Sequence, residues 1–369
     1  MMKNYDVAVI GGGIIGCSIA YHLAKEKLDV AVFESGQVGG KATSAAAGML
    51  GAHSECDDLE VFYPFARNSQ LAYQKLQEEL VDVCGIDIQL KSGGIYKLAF
   101  SEGEKSQLSS LLDLPTVEWH GSAQVLKNET AVNEHINGAA YIRDDIHVLP
   151  GLACRAFSKS AQLMGASIFE YTPVLNVQKA DSSYFVKTAG GNIGAKYVVI
   201  ANGVWSSTFF EALGLSHRVI PVKGECLSVS NESISLKHTL FHNHNYIVPR
   251  SNGTLVIGAT MIENEWDERP TLGGIEELIA AAKELIPAAG DMRIESFWAG
   301  LRPSTFDQQP FIGFHPEEKG ILFATGHFRN GILLAPGTGQ MIRDLILERE
   351  VRNDWIDAFK IDRQKQVLV

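Results

Sequence analysis

A glycine-rich segment that directly follows the first apolar run constrains the fold of this chain more than any other feature. Gly11, Gly13 and Gly16 have the spacing GxGxxG, and the run 5–10, which is β-branched and apolar apart from Asp6, precedes them. This run is typical of a strand that is buried on both faces, and residues 14–26 predict a helix with small and apolar residues on one side. The segment therefore predicts a strand–turn–helix unit that binds a dinucleotide.

Each glycine of this unit is expected to have its own physical role. The first makes a tight turn, the second lets a pyrophosphate approach the backbone, and the third lets helix and strand pack closely. The helix N-terminus offers N–H groups and partial positive charge to the phosphates. A second buried strand is predicted at 29–34, and the carboxylate of Glu34 at its end would accept hydrogen bonds from ribose hydroxyls. NAD and FAD share this pattern, so it does not decide between them.

Two later segments favour FAD. The run from Ser44 to Met49 has no bulky side chain before Met49, so a flat ring system could lie against its backbone. A second glycine-rich turn, Gly326 to Gly331, precedes another predicted helix, whose N-terminus could stabilise negative charge on a reduced isoalloxazine ring. Each segment taken alone is equally consistent with a packing contact between small residues.

Composition narrows the remaining classes of function. The chain has 369 residues and a net charge of −11, which argues against binding to nucleic acid or to an anionic membrane. No stretch approaches the ~20 apolar residues of a membrane span, and the N-terminus does not resemble a signal peptide. The five cysteines are scattered without a CxxC pair, which favours free thiols. We therefore expect a cytoplasmic protein.

The hydrophobic pattern changes twice along the chain and predicts two interleaved domains. Helices are predicted at 58–83, 150–165 and 274–286, strand-like stretches at 167–178, 183–188, 196–203, 246–249 and 254–259, short strands within 88–148 and 218–300, and a strand–loop–helix unit at 321–339. We predict an α/β fold in which a doubly wound, Rossmann-like domain comprises 1–87, 149–220 and 301–369, and an α+β substrate domain with an antiparallel sheet comprises 88–148 and 221–300.

Five blocks of sequence resemble a known superfamily. They are VIGGGIIGCSIAYHLA (9–24), TSAAAGMLGAHSEC (43–56), PVKGEC (221–226), FWAGLRPSTFDQQPFIG (297–313) and GHFRNGILLAPGTG (326–339). With these blocks in this order, the chain resembles from end to end the FAD-dependent D-amino acid oxidase and sarcosine oxidase superfamily, and within it the bacterial glycine oxidases of the thiamine-synthesis type. The resemblance implies FAD as cofactor and a small amine or amino acid as substrate.

The cofactor residues that follow from the glycine pattern and the resemblance form one set. They are Gly11, Gly13, Ile14, Ile15, Gly16, Glu34, Ser35, Ala42, Thr43, Ala47, Gly48, Met49, Val174, His327, Phe328, Arg329, Asn330, Gly331, Ile332 and Leu333.

Arg302 is the first candidate for binding the substrate. A planar guanidinium binds a carboxylate by two parallel hydrogen bonds, and Arg302 ends an apolar, strand-like run that Pro303 holds extended. From the sequence alone, a structural arginine–carboxylate pair is the less favoured alternative for this residue. The resemblance implies that Arg302 binds the substrate carboxylate and that the hydroxyl of Tyr246 assists it.

The remaining candidates lie around the same expected pocket. The resemblance implies Arg329 as a further catalytic residue that contacts the substrate, with its backbone carbonyl facing the amine. Met49 and Met261 would line the pocket, although methionine is commonly ordinary core filler, and His244 would lie nearby. His242 and His244 have the i, i+2 spacing of two ligands on one strand, but no third ligand is in register, so we expect no metal site.

The resemblance also implies the reaction. Hydride transfer from Cα of the neutral amine to flavin N5, without a side-chain base, would lead to glyoxylate or another 2-oxo acid, ammonia and, with oxygen, hydrogen peroxide. The glycine imine could instead pass to a thiazole synthase. Since no cysteine follows Cys226, we expect non-covalent FAD, unlike in monomeric sarcosine oxidases. A homotetramer is expected from the family alone.

Two other functions remain open at this point. A D-amino acid dehydrogenase of the same fold would pass its electrons to a quinone or a carrier instead of oxygen. A non-catalytic FAD-binding module, or a flavoprotein that acts on RNA, agrees less well with the acidic charge and with the substrate residues.

Overall fold

Two large β-sheets and a layer of helices form the fold. A computed structural model describes residues 3–55, 60–181, 183–230 and 234–363. The helices are α1 Ile14–Lys25, α2 Ala42–Ala45, α3 Phe62–Cys84, α4 Glu102–Gln107, α5 Ser122–Asn128, α6 Pro150–Leu163, α7 Ser207–Phe210, α8 Leu272–Leu285, α9 Gly331–Ile346 and α10 Asn353–Phe359. The strands are β1 Asn4–Ile10, β2 Val30–Phe33, β3 Met49–Leu50, β4 Ile95–Ala99, β5 Val117–Gly121, β6 Gly138–Ile142, β7 Ile146–His147, β8 Ser167–Phe169, β9 Val174–Ala180, β10 Ser183–Thr188, β11 Gly191–Ile200, β12 Ile220–Ser230, β13 Thr239–His242, β14 Asn245–Pro249, β15 Thr254–Gly258, β16 Ile262–Glu263, β17 Arg293–Ser304, β18 Phe311–Phe314 and β19 Ile321–Thr325.

The first sheet has the order β18-β19-β11-β1-β2-β8, with the hairpin of β9 and β10 attached to β11. Strands β19, β11, β1, β2 and β8 pair in parallel, whereas β18 is an antiparallel edge. Val7 and Val9 of β1 belong to the core that contains the helices α1, α3, α6 and α9, and Ala8 and Ile10 face a second core on the other side. Burial on both faces explains the unbroken apolar run at 7–10.

The second sheet has the order β16-β12-β15-β14-β13-β4-β6-β5, with β17 also paired to β12. Its described pairs are antiparallel except for β13 and β4, which run in parallel. Leu227 and Ile247 belong to the core beneath α8, while their neighbours Cys226 and Tyr246 face a smaller apolar cluster on the opposite side. Because successive strand residues point to opposite faces, this alternation decides which side chains can reach a ligand.

The predicted fold class is confirmed, while several predicted elements differ in extent. The stretch 167–178 is not one strand, because a turn at 170–173 separates β8, which is parallel to β2, from β9. The helix predicted from residue 58 begins at Phe62, and its first two predicted positions lie outside the described residues. The sequence pattern also missed α4 and α5. The domain division stays a prediction, and its boundary at residue 300 falls within β17.

Two other expectations can be compared with the described residues. Cys17, Cys84, Cys154 and Cys226 are free thiols, as predicted, and Cys56 lies outside the described residues. Within the described ranges, no helix combines the length and the apolar character needed to cross a membrane.

Candidate active site

One cavity of about 570 Å³ is bounded by residues of both sheets. This volume falls within the roughly 300–1,000 Å³ of typical ligand pockets. The wall contains most of the predicted site residues, namely Gly11, Gly13, Ile14, Ile15, Glu34, Ser35, Ala42, Thr43, Ala47, Gly48, Met49, Val174, His244, Tyr246, Met261, Arg302, His327, Phe328, Arg329, Asn330, Gly331 and Ile332. Two predicted cofactor residues, Gly16 and Leu333, are not part of the wall and are buried behind it.

The glycine turn after β1 leaves space where a dinucleotide would need it. Gly11 has φ of +110°, and a Cβ on it would lie 2.6 Å from the Ala201 carbonyl oxygen. A Cβ on Gly16 would lie 1.9 Å from the Gly11 carbonyl oxygen, so Gly16 permits the contact between helix and turn. Gly13 is different, because the nearest atom to a Cβ there is Thr43 Oγ1 at 3.5 Å. The turn is therefore closed towards the protein and open towards the cavity, as pyrophosphate binding requires.

Thr43 caps the helix that starts at this turn. The Ile14 N–H donates to Thr43 Oγ1 at 3.0 Å, and Thr43 itself is buried. The first N–H groups of a helix have no partner within the helix, so this hydroxyl fixes the orientation of the α1 N-terminus beside the cavity.

Glu34, at the end of β2, holds the neighbouring loops with its carboxylate. Oε2 accepts from the Gly12 N–H at 2.7 Å, and Oε1 accepts from the Gly36 N–H at 2.8 Å and from the Ser35 hydroxyl at 3.1 Å. A carboxylate has about four acceptor positions, so one remains for a ribose hydroxyl. Glu34 is thus both a structural acceptor and a suitable ribose ligand.

The second glycine-rich turn reaches the cavity from β19. Gly326 has φ of +76°, and a 3-10 turn at Phe328–Asn330 leads into α9, which begins at Gly331. His327 is buried with Nε2 at 3.0 Å from Thr338 Oγ1, and burial lowers its pKa to about 3. His327 is therefore neutral at physiological pH. The backbone N–H groups at the N-terminus of α9 would favour an electron-rich ring in the cavity.

The small-residue segment around α2 is tied to the second sheet by two side chains that sequence reasoning missed. Trp298 Nε1 donates to the Ala45 carbonyl at 3.0 Å, and Arg250 Nη2 donates to the Ala47 carbonyl at 2.6 Å. Burial lowers the pKa of Arg250 to about 10, so the guanidinium is still charged at neutral pH. These bonds fix one wall of the cavity against the other.

Arg302 reaches the cavity from β17 across a glycine of the neighbouring strand. Its Nη1 donates to the Thr260 carbonyl at 3.1 Å. A Cβ on Gly224 of β12 would lie 2.1 Å from the same Nη1 atom, so only glycine leaves room for the guanidinium there. Among the described residues no aspartate or glutamate forms an ion pair with Arg302.

Tyr246 likewise packs against a glycine of the neighbouring strand. A Cβ on Gly258 of β15 would lie 2.5 Å from the Tyr246 hydroxyl, which is also 3.6 Å from Cys226 Sγ. Burial raises the pKa of Tyr246 well above its usual value. The phenol is therefore a neutral hydrogen-bond donor on the same sheet face as Arg302.

The other substrate candidates differ in depth. Met49 is half-buried, whereas Met261 and His244 are exposed at the rim. His242 is the last residue of β13, and His244 lies in the turn before β14, so the strand on which both were expected does not exist. Within the described part of the chain no group of three or more potential ligands could hold a metal ion.

An acidic residue that the sequence did not indicate also lines this end of the cavity. Glu55 Oε2 is 2.8 Å from Arg329 Nη2, and both residues belong to the wall. The Arg329 side chain thus has a partner within the protein.

Comparison with known proteins agrees with this geometry. Residues 6–345 match the family model described as FAD dependent oxidoreductase. The chain belongs to the FAD-dependent oxidoreductase family. Its cofactor is FAD, and the open glycine turn, the Glu34 carboxylate and the α9 N-terminus are suited to hold it.

Individual relatives of this FAD-dependent oxidoreductase match 98–100% of the chain. Glycine oxidase of Bacillus licheniformis is 56% identical over 367 residues, which is 100% of both chains. The crystal structure of glycine oxidase from Geobacillus kaustophilus has a TM-score of 0.94 and 39% identity, covering 98% of this chain and 99% of that one. The bifunctional protein ThiO/ThiG of Synechocystis sp. is 35% identical over 98% of this chain and 54% of its own length.

Replacing Thr43 by valine tests the helix cap at the cofactor end. The change keeps the shape of the side chain but leaves the buried Ile14 N–H without an acceptor, which costs about 1–3 kcal/mol. We expect the dissociation constant of FAD, measured by fluorescence titration, to rise roughly tenfold. Ser44→Ala, which removes an exposed hydroxyl bonded to the Lys41 carbonyl, is the control. Equal FAD affinity in both variants would contradict the role of Thr43 as the helix cap at the cofactor end.

Proposed function

We propose that this oxidoreductase oxidises glycine and other small amines, sarcosine and D-alanine among them, with oxygen as the final electron acceptor. The products would be glyoxylate or the matching 2-oxo acid, hydrogen peroxide and the released amine, which is ammonia from glycine and D-alanine and methylamine from sarcosine. The observation that carries the proposal is the Arg302 guanidinium, which lines the cavity without an acidic partner in the described residues and shares a sheet face with the Tyr246 hydroxyl. Relatives at 56% and 39% identity are glycine oxidases by name.

Arg302 would bind the substrate carboxylate. One of its five N–H donors bonds to the Thr260 carbonyl, so donors remain for a bidentate contact with a carboxylate. The Gly224 backbone beneath the guanidinium and the β-sheet that carries it restrict its movement. A rigid cation of this kind orients the whole substrate, because the carboxylate is attached directly to the carbon that reacts.

Tyr246 would donate a second hydrogen bond to the same carboxylate. Since burial raises the pKa of its phenol well above the usual value, Tyr246 stays protonated as the pH rises towards 10. It therefore remains a donor at neutral and moderately alkaline pH.

The surroundings of the reacting carbon support removal of a hydride from a neutral amine. FAD, when bound, supplies the two-electron acceptor that oxygen can reoxidise. Cys226, Phe241 and Ala259 bring apolar surface to this part of the wall, and an apolar pocket lowers the pKa of an amine by disfavouring its charged form. The half-buried Met49 would restrict the substrate to a small side chain. Arg329 would contact the substrate through its backbone carbonyl, since its guanidinium pairs with Glu55.

Two further proposals concern partners. We expect a homotetramer, which the resemblance to the family implies. The glycine imine could pass to a thiazole synthase before it hydrolyses, and the bifunctional relative, of which this chain covers 54%, supports such a hand-off. Size-exclusion chromatography with light scattering tests the first proposal, and trapping of free glyoxylate in the presence of the synthase tests the second.

We propose that FAD is held without a covalent bond. Among the described residues, the cysteine that lines the cavity is Cys226, and burial raises the pKa of its thiol, which disfavours the nucleophilic thiolate. Acid precipitation of the purified protein should release the yellow colour into the supernatant. A pellet that stays yellow after washing would contradict this prediction.

Peroxide release tests the proposed reaction directly. We expect the yellow protein to form hydrogen peroxide with glycine, sarcosine, D-alanine and D-proline, and none with glycerol 3-phosphate. Activity with glycerol 3-phosphate alone would contradict the proposal that the substrate is an amine. Bleaching of the flavin by glycine under nitrogen, without peroxide formation in air, would instead favour the dehydrogenase.

Two substitutions test the carboxylate site. Arg302→Ala should raise KM for amino acids about 100-fold or more, because a charge-assisted bidentate contact is lost, while the flavin spectrum stays nearly unchanged. Gly224→Ala should also raise KM, since the new Cβ displaces the Arg302 guanidinium. Gly273→Ala is the matched control, because a Cβ there meets nothing within 4 Å. Loss of flavin from Arg302→Ala would mean that Arg302 is structural.

A further inference from the structure

An ion pair between Glu55 and Arg329 lies at the substrate end of the cavity, and the proposed reaction gives the Glu55 carboxylate no function. The Glu55 side chain is only 9% exposed, and its Oε2 lies 2.8 Å from Arg329 Nη2. Both residues line the cavity together with Tyr246 and Arg302. The turn that carries Arg329 packs against β17, which carries Arg302, so the two guanidinium groups belong to neighbouring parts of the wall.

The Glu55 charge acts on the substrate end itself. Burial is the main reason why the pKa of Tyr246 is raised, and the negative charge of Glu55 raises it further, so its field reaches the phenol. The Arg329 side chain is 29% exposed, and its guanidinium lies over the Phe328 ring at 5.6 Å. A largely buried pair of this kind is screened less by water and salt than a surface pair.

The charges around the substrate leave one guanidinium without compensation. Arg302 has no acidic partner within the described ranges, whereas Arg329 is neutralised by Glu55. The other charged residues of the wall have partners elsewhere, since Lys41 pairs with Glu268 at 2.6 Å and Glu34 accepts bonds from loop N–H groups. The uncompensated positive charge of Arg302 therefore balances one substrate carboxylate, and a second carboxylate would lie next to the negative charge of Glu55.

We propose that Glu55 is a specificity-determining residue, which limits this site to substrates with a single carboxylate by occupying the Arg329 guanidinium. The inference deepens the proposed function and rests on it. Without the Glu55 charge, Arg329 becomes free to bind a second carboxylate, and a dianion gains an attractive contact in place of a repulsive one. Acidic amino compounds such as D-aspartate or iminodiacetate then become substrates.

Equilibrium binding to the holoenzyme measures this preference without turnover. Acetate and malonate differ by one carboxylate, and neither can be oxidised as an amine, so each is titrated against the perturbation of the flavin absorbance. We expect the native protein to bind acetate more tightly than malonate. In Glu55→Gln the ratio of the two dissociation constants should shift towards malonate by about tenfold or more, as expected for one partly buried charge.

Two further variants show whether charge is the cause. Glu55→Asp keeps the carboxylate and should keep the native preference. Glu276→Gln removes an exposed carboxylate of α8 outside the cavity wall and should leave both constants unchanged. An unchanged ratio in Glu55→Gln, or an equal shift in Glu276→Gln, would overturn the inference.

The double variant Glu55→Gln/Arg329→Gln identifies the group that binds the second carboxylate. It should lose the gain in malonate affinity, because the freed guanidinium is gone. If the double variant kept the gain, Arg329 would not be the group that Glu55 occupies. Arg329→Gln alone leaves Glu55 without compensation and should weaken acetate binding about tenfold. This single variant tests the charge balance even if Glu55→Gln does not retain FAD, and unchanged acetate binding would contradict it.

Turnover then connects the preference to the reaction. Relative to glycine, kcat/KM for D-aspartate and iminodiacetate should rise at least about tenfold in Glu55→Gln. Failure of the native protein to oxidise any small amine would refute the proposed function. A native protein that oxidises glycine, with a Glu55→Gln variant that still discriminates against dianions, would refute only the role of Glu55.

Discussion

The close contact of α1 with the turn after β1 is the constraint on which the rest of the site depends. A Cβ on Gly16 would lie 1.9 Å from the Gly11 carbonyl oxygen, and one on Gly11 would lie 2.6 Å from the Ala201 carbonyl oxygen. Backbone therefore meets backbone with no side chain between, and the N-terminus of α1 opens into the cavity. Thr43 completes this end through the Ile14 N–H, and the small-residue segment that follows Thr43 forms the next part of the wall.

The second sheet contributes a rigid surface that faces this cofactor end. Alternation along β12 and β14 directs Cys226 and Tyr246 to the cavity and their neighbours to the core beneath α8. Gly224 makes room for the Arg302 guanidinium, as Gly258 does for the Tyr246 ring. Because Trp298 and Arg250 also bond the backbone around α2, the cofactor and substrate ends are parts of one fixed enclosure. Such a preorganised enclosure would hold a small substrate in one orientation and restrict its movement.

We attribute the selectivity of the enclosure to charge, because a small substrate has little surface through which shape could be recognised. In the proposed reaction, the Arg302 guanidinium, which has no acidic partner in the described residues, would attract a carboxylate, and the neutral Tyr246 phenol would donate to it. Glu55, paired with the Arg329 guanidinium, would remove a second anion site. Burial strengthens the last two effects, because low polarity keeps Tyr246 protonated and reduces screening of the Glu55–Arg329 ion pair. His327, within the second glycine-rich turn, stays neutral for the same reason.

The sequence by itself determined the dinucleotide unit and the fold class, since the glycine spacing and apolar periodicity reflect backbone geometry within about 30 residues. The other cofactor residues came from the glycine pattern together with the resemblance. Arg302 and Tyr246 came from the resemblance to the family. Only the tertiary structure brought Glu55 to Arg329 and Gly224 beneath Arg302, and it placed Gly16 and Leu333 behind the wall. These relations join residues that are distant in the chain or that belong to paired strands. Local pattern carries no information about them, because the path of the chain through space decides which charges and glycines meet.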